Sequence, residues 1–186
     1  GFVKQGGEIL EAGVQAFIME RPGSEENKRG SFHHNYSRYI EWTDESNCPV
    51  CCDEPGPSDI ELIKELEHSW MEASIHAQGC LWGKCHVLSK KHFVELHDIP
   101  EQDLLNFMKD VQKVSKALKK VSKAVKINYE LHGNSIPHLH MHIFPRYIDD
   151  FFPGGGIDVT RTTPNPYENK DKFNYFINKM RELLTD

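Results

Sequence analysis

Apolar side chains fall on every second position through Leu139, Met141 and Ile143, and His138, His140 and His142 take the alternate positions. Neighbouring side chains on a strand point to opposite faces, so this stretch predicts a strand with one core face and one histidine face. Upstream, Leu104, Met108, Val111, Ser115, Leu118, Val121 and Val125 recur at helical spacing, with Lys119, Lys120 and Lys123 crowding the other side. His97-Asp98-Ile99-Pro100-Glu101 is a start signal for that helix, with proline near the first position and acidic residues in the first turn. Between helix and histidine strand, residues 126–131 predict a strand that turns Ile127, Tyr129 and Leu131 one way and Asn128 and Glu130 the other. Residues 70–82 and 85–89 read as two strands turned at Gly83-Lys84. Ile60, Leu62, Ile63 and Leu66 form a short apolar pattern that fits a helix or a strand equally well.

Phe173, Phe176, Ile177, Met180 and Leu184 predict a C-terminal amphipathic helix. Residues 8–20 predict a short helix, broken by Arg21-Pro22-Gly23, and His33 and His34 in the polar stretch that follows are expected at the surface. The fold class is therefore α+β: about five strands in a largely antiparallel sheet, one long helix and one terminal helix. Residues 1–47 form an extension to which the sequence assigns no chemistry, and residues 48–186 form the domain.

With 186 residues the chain is long enough for a proper core. A formal net charge of −6 and the lack of basic blocks argue against broad nucleic-acid binding, which needs a positive footprint. No run approaches the ~18 consecutive apolar residues of a membrane-spanning helix, so no membrane partner is expected. No leader is recognisable, although the chain opens on Gly1 and a preceding segment stays open. The five cysteines, an odd number, fit a reducing compartment better than a disulfide framework, and the expected location is cytoplasmic.

Alternate residues on a strand lie about 6.6 Å apart, so one bound group can meet two imidazoles. Three readings of the histidines stand open: satisfied polar residues, metal ligands, or the walls of an anion site. Gly133-Asn134-Ser135-Ile136-Pro137 reads as a tight loop whose Asn134 and Ser135 side chains and free backbone N–H groups are neutral donors suited to phosphate. No acidic ligand accompanies the histidines, which weakens a catalytic metal of the two-histidines-plus-carboxylate kind. Separately, Cys48-Pro49-Val50-Cys51 can place two thiolates on one tetrahedral ion, but a closed site needs two further ligands. Otherwise these are free thiols, and a redox pair lacks the βαβ context it requires.

The run from Gly133 to Arg146 resembles the signature of the histidine triad (HIT) family, His-x-His-x-His followed by two apolar residues, and the resemblance covers about residues 61–147. It implies a HIT-like fold paired as a homodimer around a small-molecule nucleotide, with no organic cofactor. By resemblance His140 is the nucleophile that takes a nucleoside monophosphoryl group. His142, Asn134 and Ser135 donate to the phosphate, with His138 completing the catalytic set and Ser135 a candidate for protonating the leaving group. Asn128 sits near an asparagine that contacts phosphate in relatives. The hairpin of the base and ribose pocket carries His76, Gln78, Lys84 and His86, of which Gln78 and Lys84 are the substrate-binding candidates. Ala77 and Gln78 depart from the usual Asn or Asp of that strand. Certain relatives pair such cysteines with two histidines, which by position are His92 and His138, giving a structural zinc site of Cys48, Cys51, His92 and His138.

The resemblance thus implies a hydrolase of nucleoside phosphoramidates or dinucleoside polyphosphates. Nucleotidyl transfer to a phosphorylated acceptor is the nearest alternative, although Leu139 and His142 depart from the pattern of uridylyltransferases. A nucleotide-binding partner protein with incidental turnover, and a metallohydrolase, are the others.

Overall fold

The computed structural model describes residues 32–54 and 56–185. The helix expected at residues 8–20 and its break lie outside them. The chain divides into two units, Gly1–His34 and Asn35–Asp186, and every element below belongs to the second. In the first, His33 is buried against the expectation of exposure, and its ring stacks on His34 with centroids 4.3 Å apart.

Among the described residues five strands form one sheet: β1 (Ile60–Glu65), β2 (Ser69–Ser74), β3 (Cys85–Ser89), β4 (Lys126–Glu130) and β5 (His140–Arg146). Their order is β1-β2-β3-β5-β4, and every neighbouring pair is antiparallel. The architecture is the expected α+β, with helices α1 (Tyr36–Glu41), α2 (Glu101–Ser122) and α3 (Lys170–Leu183). The ambiguous pattern after residue 59 is a strand: a bulge between Leu62 and Lys64 buries Ile63 and leaves Leu62 exposed.

β2 is shorter than its apolar run suggests, ending at Ser74 rather than Trp82. Gly79 at φ +68° and Cys80 at φ +55° turn the chain out of the extended region, so a loop replaces the far half of the predicted strand. A Cβ on Gly79 would lie 2.6 Å from Ile157 Cγ2, so the close approach of the later loop adds a second requirement for glycine.

One face of the sheet carries Met71, Ala73, Val87, Ile127, Leu139, Met141 and Ile143, all buried under α2 and α3. On α2 the buried stripe is Phe107, Val111, Val114, Ser115 and Leu118. Met108 and Val125, expected within it, are exposed: Met108 lies off that stripe, and Lys123 at φ +57° ends the helix before Val125. α3 buries the expected Phe173, Phe176, Ile177 and Met180, starts at Asn169, whose side chain accepts from the Lys172 N–H, and ties back through Arg181 to the carbonyls of Leu62 and Ile63. With one sheet face filled by two helices, the histidine face is left to the chemistry.

Candidate functional site

Pairing across the sheet decides which side chains share that face. His142 stands opposite His86 on β3 and Glu130 on β4, and His86 stands opposite Glu72 on β2. One row across the sheet therefore reads Glu72, His86, His142, Glu130. The His86 ring meets His142 edge-on with centroids 4.6 Å apart, and His86 Nδ1 lies 3.4 Å from Glu72 Oε1.

β5 begins at His140, so His138 precedes the strand rather than sharing its face. Its ring is turned away: Nε2 donates to the Ser89 carbonyl at 2.7 Å and Nδ1 faces the cysteines. The His138 carbonyl instead accepts from His140 Nδ1 at 2.7 Å. That bond puts the His140 proton on Nδ1 and leaves an Nε2 lone pair, 3.1 Å from His142 Nε2. Burial holds both His140 and His142 below the ordinary imidazole range, and the same cause acts on His86, so the rings are neutral at physiological pH.

Lys84 is 2% exposed, its amine against His86 Nε2 and 5.4 Å from the Phe144 ring centre. Burial brings it down to about 7. Gln78, Lys84 and His86, with Asp59, Ser74 and His76, line a cavity of about 270 Å³ beside the histidines. A larger hollow of about 570 Å³ along α2 is lined mainly by lysines and holds none of the site histidines. Among the described residues, three buried polar side-chain atoms have no hydrogen-bond partner within the protein: Gln78 Oε1, His86 Nδ1 and His142 Nδ1. Orphaned buried groups are rare, and all three belong to this cavity or to the triad that borders it, which marks the face as a place for a polar ligand.

Asn134 and Ser135 lie exposed on the loop before β5, beyond Gly133 at φ +65°. Asn128 is farther from the histidines, opposite Phe144, and its side-chain oxygen accepts from Arg146 Nη1 at 3.0 Å. Arg146 also grips Asp150 through two bonds of 2.5 and 3.0 Å, which hold that carboxyl down at about 2. The pattern of the chain did not single out Glu72 or His132. His132 stands in the loop after β4, its Nε2 2.8 Å from Glu130 Oε2 and its ring 5.2 Å from that of His142. A strand pattern assigns faces within one strand, whereas these two residues become neighbours of the triad only through sheet register and loop course.

The second cluster joins Cys48, Cys51, His92 and His138, whose ligand atoms all lie within 4.8 Å of one another. Cys48 Sγ is 3.5 Å from His138 Nδ1, and Cys51 Sγ is 3.4 Å from His92 Nδ1 and 3.6 Å from His138 Nδ1. Zinc bound tetrahedrally with Zn–S of ~2.3 Å and Zn–N of ~2.0 Å requires S···N edges of about 3.5 Å, so the four residues fit that ion. Both imidazoles also present Nδ1 inward because their Nε2 groups donate to carbonyls, His138 to Ser89 and His92 to Thr43 at 2.9 Å. The Thr43 carbonyl comes from the turn after α1, within the stretch to which the sequence assigned no chemistry. With the thiols protonated, burial and the neighbouring Cys48 push Cys51 up to about 12.

A family model, the HIT domain, matches residues 69–149. An uncharacterised HIT-like protein of Methanocaldococcus jannaschii is 31% identical over 107 residues, covering 55% of this chain and 81% of that protein. The adenosine 5′-monophosphoramidase of Saccharomyces cerevisiae is 27% identical over 90 residues, covering 48% of this chain and 57% of the yeast enzyme. Among solved structures, a zinc-bound histidine triad family protein from Mycobacterium smegmatis superposes with a TM-score of 0.55 at 19% identity, covering 75% of this chain and 97% of that one.

Proposed function

This chain belongs to the histidine triad family, and from that membership we propose that it cleaves a nucleoside phosphoramidate or a dinucleoside polyphosphate at the α-phosphate through a nucleotidyl-histidine on His140. The observation that carries the reading is the His140 hydrogen bond: with Nδ1–H fixed on the His138 carbonyl, Nε2 holds the lone pair, 3.1 Å from His142 Nε2. Burial keeps that ring neutral, so no proton has to leave before attack. The monophosphoramidase relative supports the substrate class.

In this reading Nε2 of His140 forms a bond to the α-phosphorus while the bond to the leaving group breaks. His142, with Asn134 and Ser135 from the preceding loop, donates to the non-bridging oxygens, and Lys84 supplies positive charge. Gln78 faces the nucleoside from the adjoining cavity, and water then releases the nucleoside monophosphate. His138 acts through its backbone carbonyl on His140 and through its ring on the second cluster. Asn128 is engaged with Arg146 and has no direct contact with the phosphate in this reading.

Cys48, Cys51, His92 and His138 are proposed to hold a structural zinc ion. Four protein ligands close the coordination sphere, so the ion supplies a crosslink between the segment before β1 and the start of β5. That a histidine triad family protein of the same fold is zinc-bound supports the reading.

The test is release of nucleoside monophosphate from adenosine phosphoramidate and from diadenosine polyphosphates, by wild type and by His140→Asn. Release by the wild type alone is expected. Equal release by both removes His140 from the chemistry, and tight nucleotide binding with no release by either favours a binding role.

A further inference from the structure

The proposed route leaves one proton without an owner. A leaving amine or phosphate needs a proton as its bond to phosphorus breaks, and the attacking water must lose one in the second step. His140 is covalently engaged between the two steps, and its Nδ1–H is committed to the His138 carbonyl. His142 is buried with no hydrogen-bond partner on Nδ1, His86 holds its Nδ1 3.4 Å from the Glu72 carboxylate, and desolvation opposes a charge on either ring. Lys84 is 2% exposed and its amine is already engaged with His86 Nε2.

His132 differs on each count. Its side chain is 39% exposed, so its ring reaches both solvent and the site. One ring nitrogen, Nε2, is fixed 2.8 Å from the Glu130 carboxylate, which is itself 24% exposed and stands opposite His142 in the strand pairing. That carboxylate fixes the ring's orientation through Nε2, which leaves Nδ1 to exchange a proton. The ring lies edge-on to His142 at 5.2 Å, next to the Gly133 turn that opens the phosphate loop.

We infer that His132 is the acid and base of the reaction and that Glu130 positions it. This rests on the nucleotidyl-His140 route above. In the first step the Nε2 lone pair of His140 forms the N–P bond, and the electron pair of the broken P–X bond goes to the leaving group X. X takes the proton of His132 Nδ1, leaving that ring neutral. In the second step water oxygen bonds to phosphorus, the N–P electron pair returns to His140, and the water proton goes to His132 Nδ1. The site ends as it began, with HX and a nucleoside monophosphate released.

The test compares first-turnover release from two adenosine 5′-monophosphate derivatives, an alkylamine phosphoramidate and a 4-nitrophenyl ester, for wild type, His132→Ala, His132→Gln and Glu130→Gln. Nitrophenolate leaves without a proton, so its release should stay within about threefold of wild type in every variant, which also reports an intact fold. Alkylamine release should fall on the order of 10²-fold in both His132 variants and roughly tenfold in Glu130→Gln. In the His132 variants the nitrophenyl ester should further give a burst followed by slow turnover, with the enzyme trapped as the nucleotidyl adduct. Equal loss on both leaving groups, or none on either, overturns the assignment. So does a leaving-group effect that appears in Ser135→Ala and not in the His132 variants. Wild type that releases neither group overturns the parent reading instead, and this one with it.

Discussion

Lys84 shows how the site sets one residue's stability against its use. Its side chain is almost fully buried and brought down from an ordinary lysine to about 7. Between about 7 and the ordinary lysine value near 10.5 the unfolded chain holds that proton and the folded chain does not, so this group makes stability rise with pH through that window. Its cost is fully present below about 7 and relieved as pH approaches 10.5. Lys84→Met is therefore expected to be more stable than wild type at pH 7, by on the order of a few kcal/mol, with a smaller gain at pH 9. Denaturant unfolding at the two pH values reads this out. The same variant should lose kcat/KM for an anionic nucleotide, since a positive charge is gone. A variant equally stable at both pH values and equally active would remove Lys84 from this role.

Among the elements, α3 and the loop after β2 carry the clearest consequences. Phe176 is fully buried, edge-on to Trp82 with ring centroids 5.1 Å apart. Phe176→Ala should cost ~3–5 kcal/mol in unfolding free energy, from lost transfer plus the cavity left behind. Gly79→Ala places a methyl into Ile157 at a left-handed backbone position, and should cost about 1–3 kcal/mol. It should also disturb nucleotide affinity, because Gly79 adjoins Gln78 in the cavity wall. Both elements bear on what the amino-acid pattern discloses. α3 was legible because its apolar residues keep one helical stripe from Phe173 to Leu184 and its cap is local. The end of β2 was not legible, since Ala77 joins the core, Ile75 packs against it and Trp82 meets Phe176 of α3 from outside a strand, and an apolar run does not reveal which partner it packs against. β1 stayed ambiguous for a related reason: its bulge breaks the two-residue alternation that would mark a strand. The histidine strand was plain because alternation and motif agreed over one continuous stretch. His132 and Glu72 were hidden because sheet register brings them to the triad, and the turn of the His138 ring was hidden because it is set by the Ser89 carbonyl and the distant cysteines.

For the whole molecule, the Cys/His cluster joins a segment before the sheet to the start of the strand that bears His140. His138 belongs to both centres, its ring to the cluster and its carbonyl to His140. Loss of zinc should therefore act first on the fold and through it on activity. A structural zinc contributes ~10 kcal/mol in small peptide sites, and a fraction of that in a domain with its own core still implies a melting temperature lower by about 10 °C or more after chelation or in Cys48→Ser. Metal content near one zinc per chain, together with that shift, is the expected result. Activity lost to chelator with an unchanged melting temperature would instead mark a metallohydrolase.

The central claim is the covalent role of His140, and the most direct measurement is the intact mass of the enzyme quenched under alkaline conditions during turnover of adenosine phosphoramidate. The expected result is a mass increase of one adenylyl group, mapped by peptide analysis to His140 and absent from His140→Asn. Steady turnover with no adduct in a quench fast enough to catch it, or an adduct that persists in His140→Asn, would contradict the account.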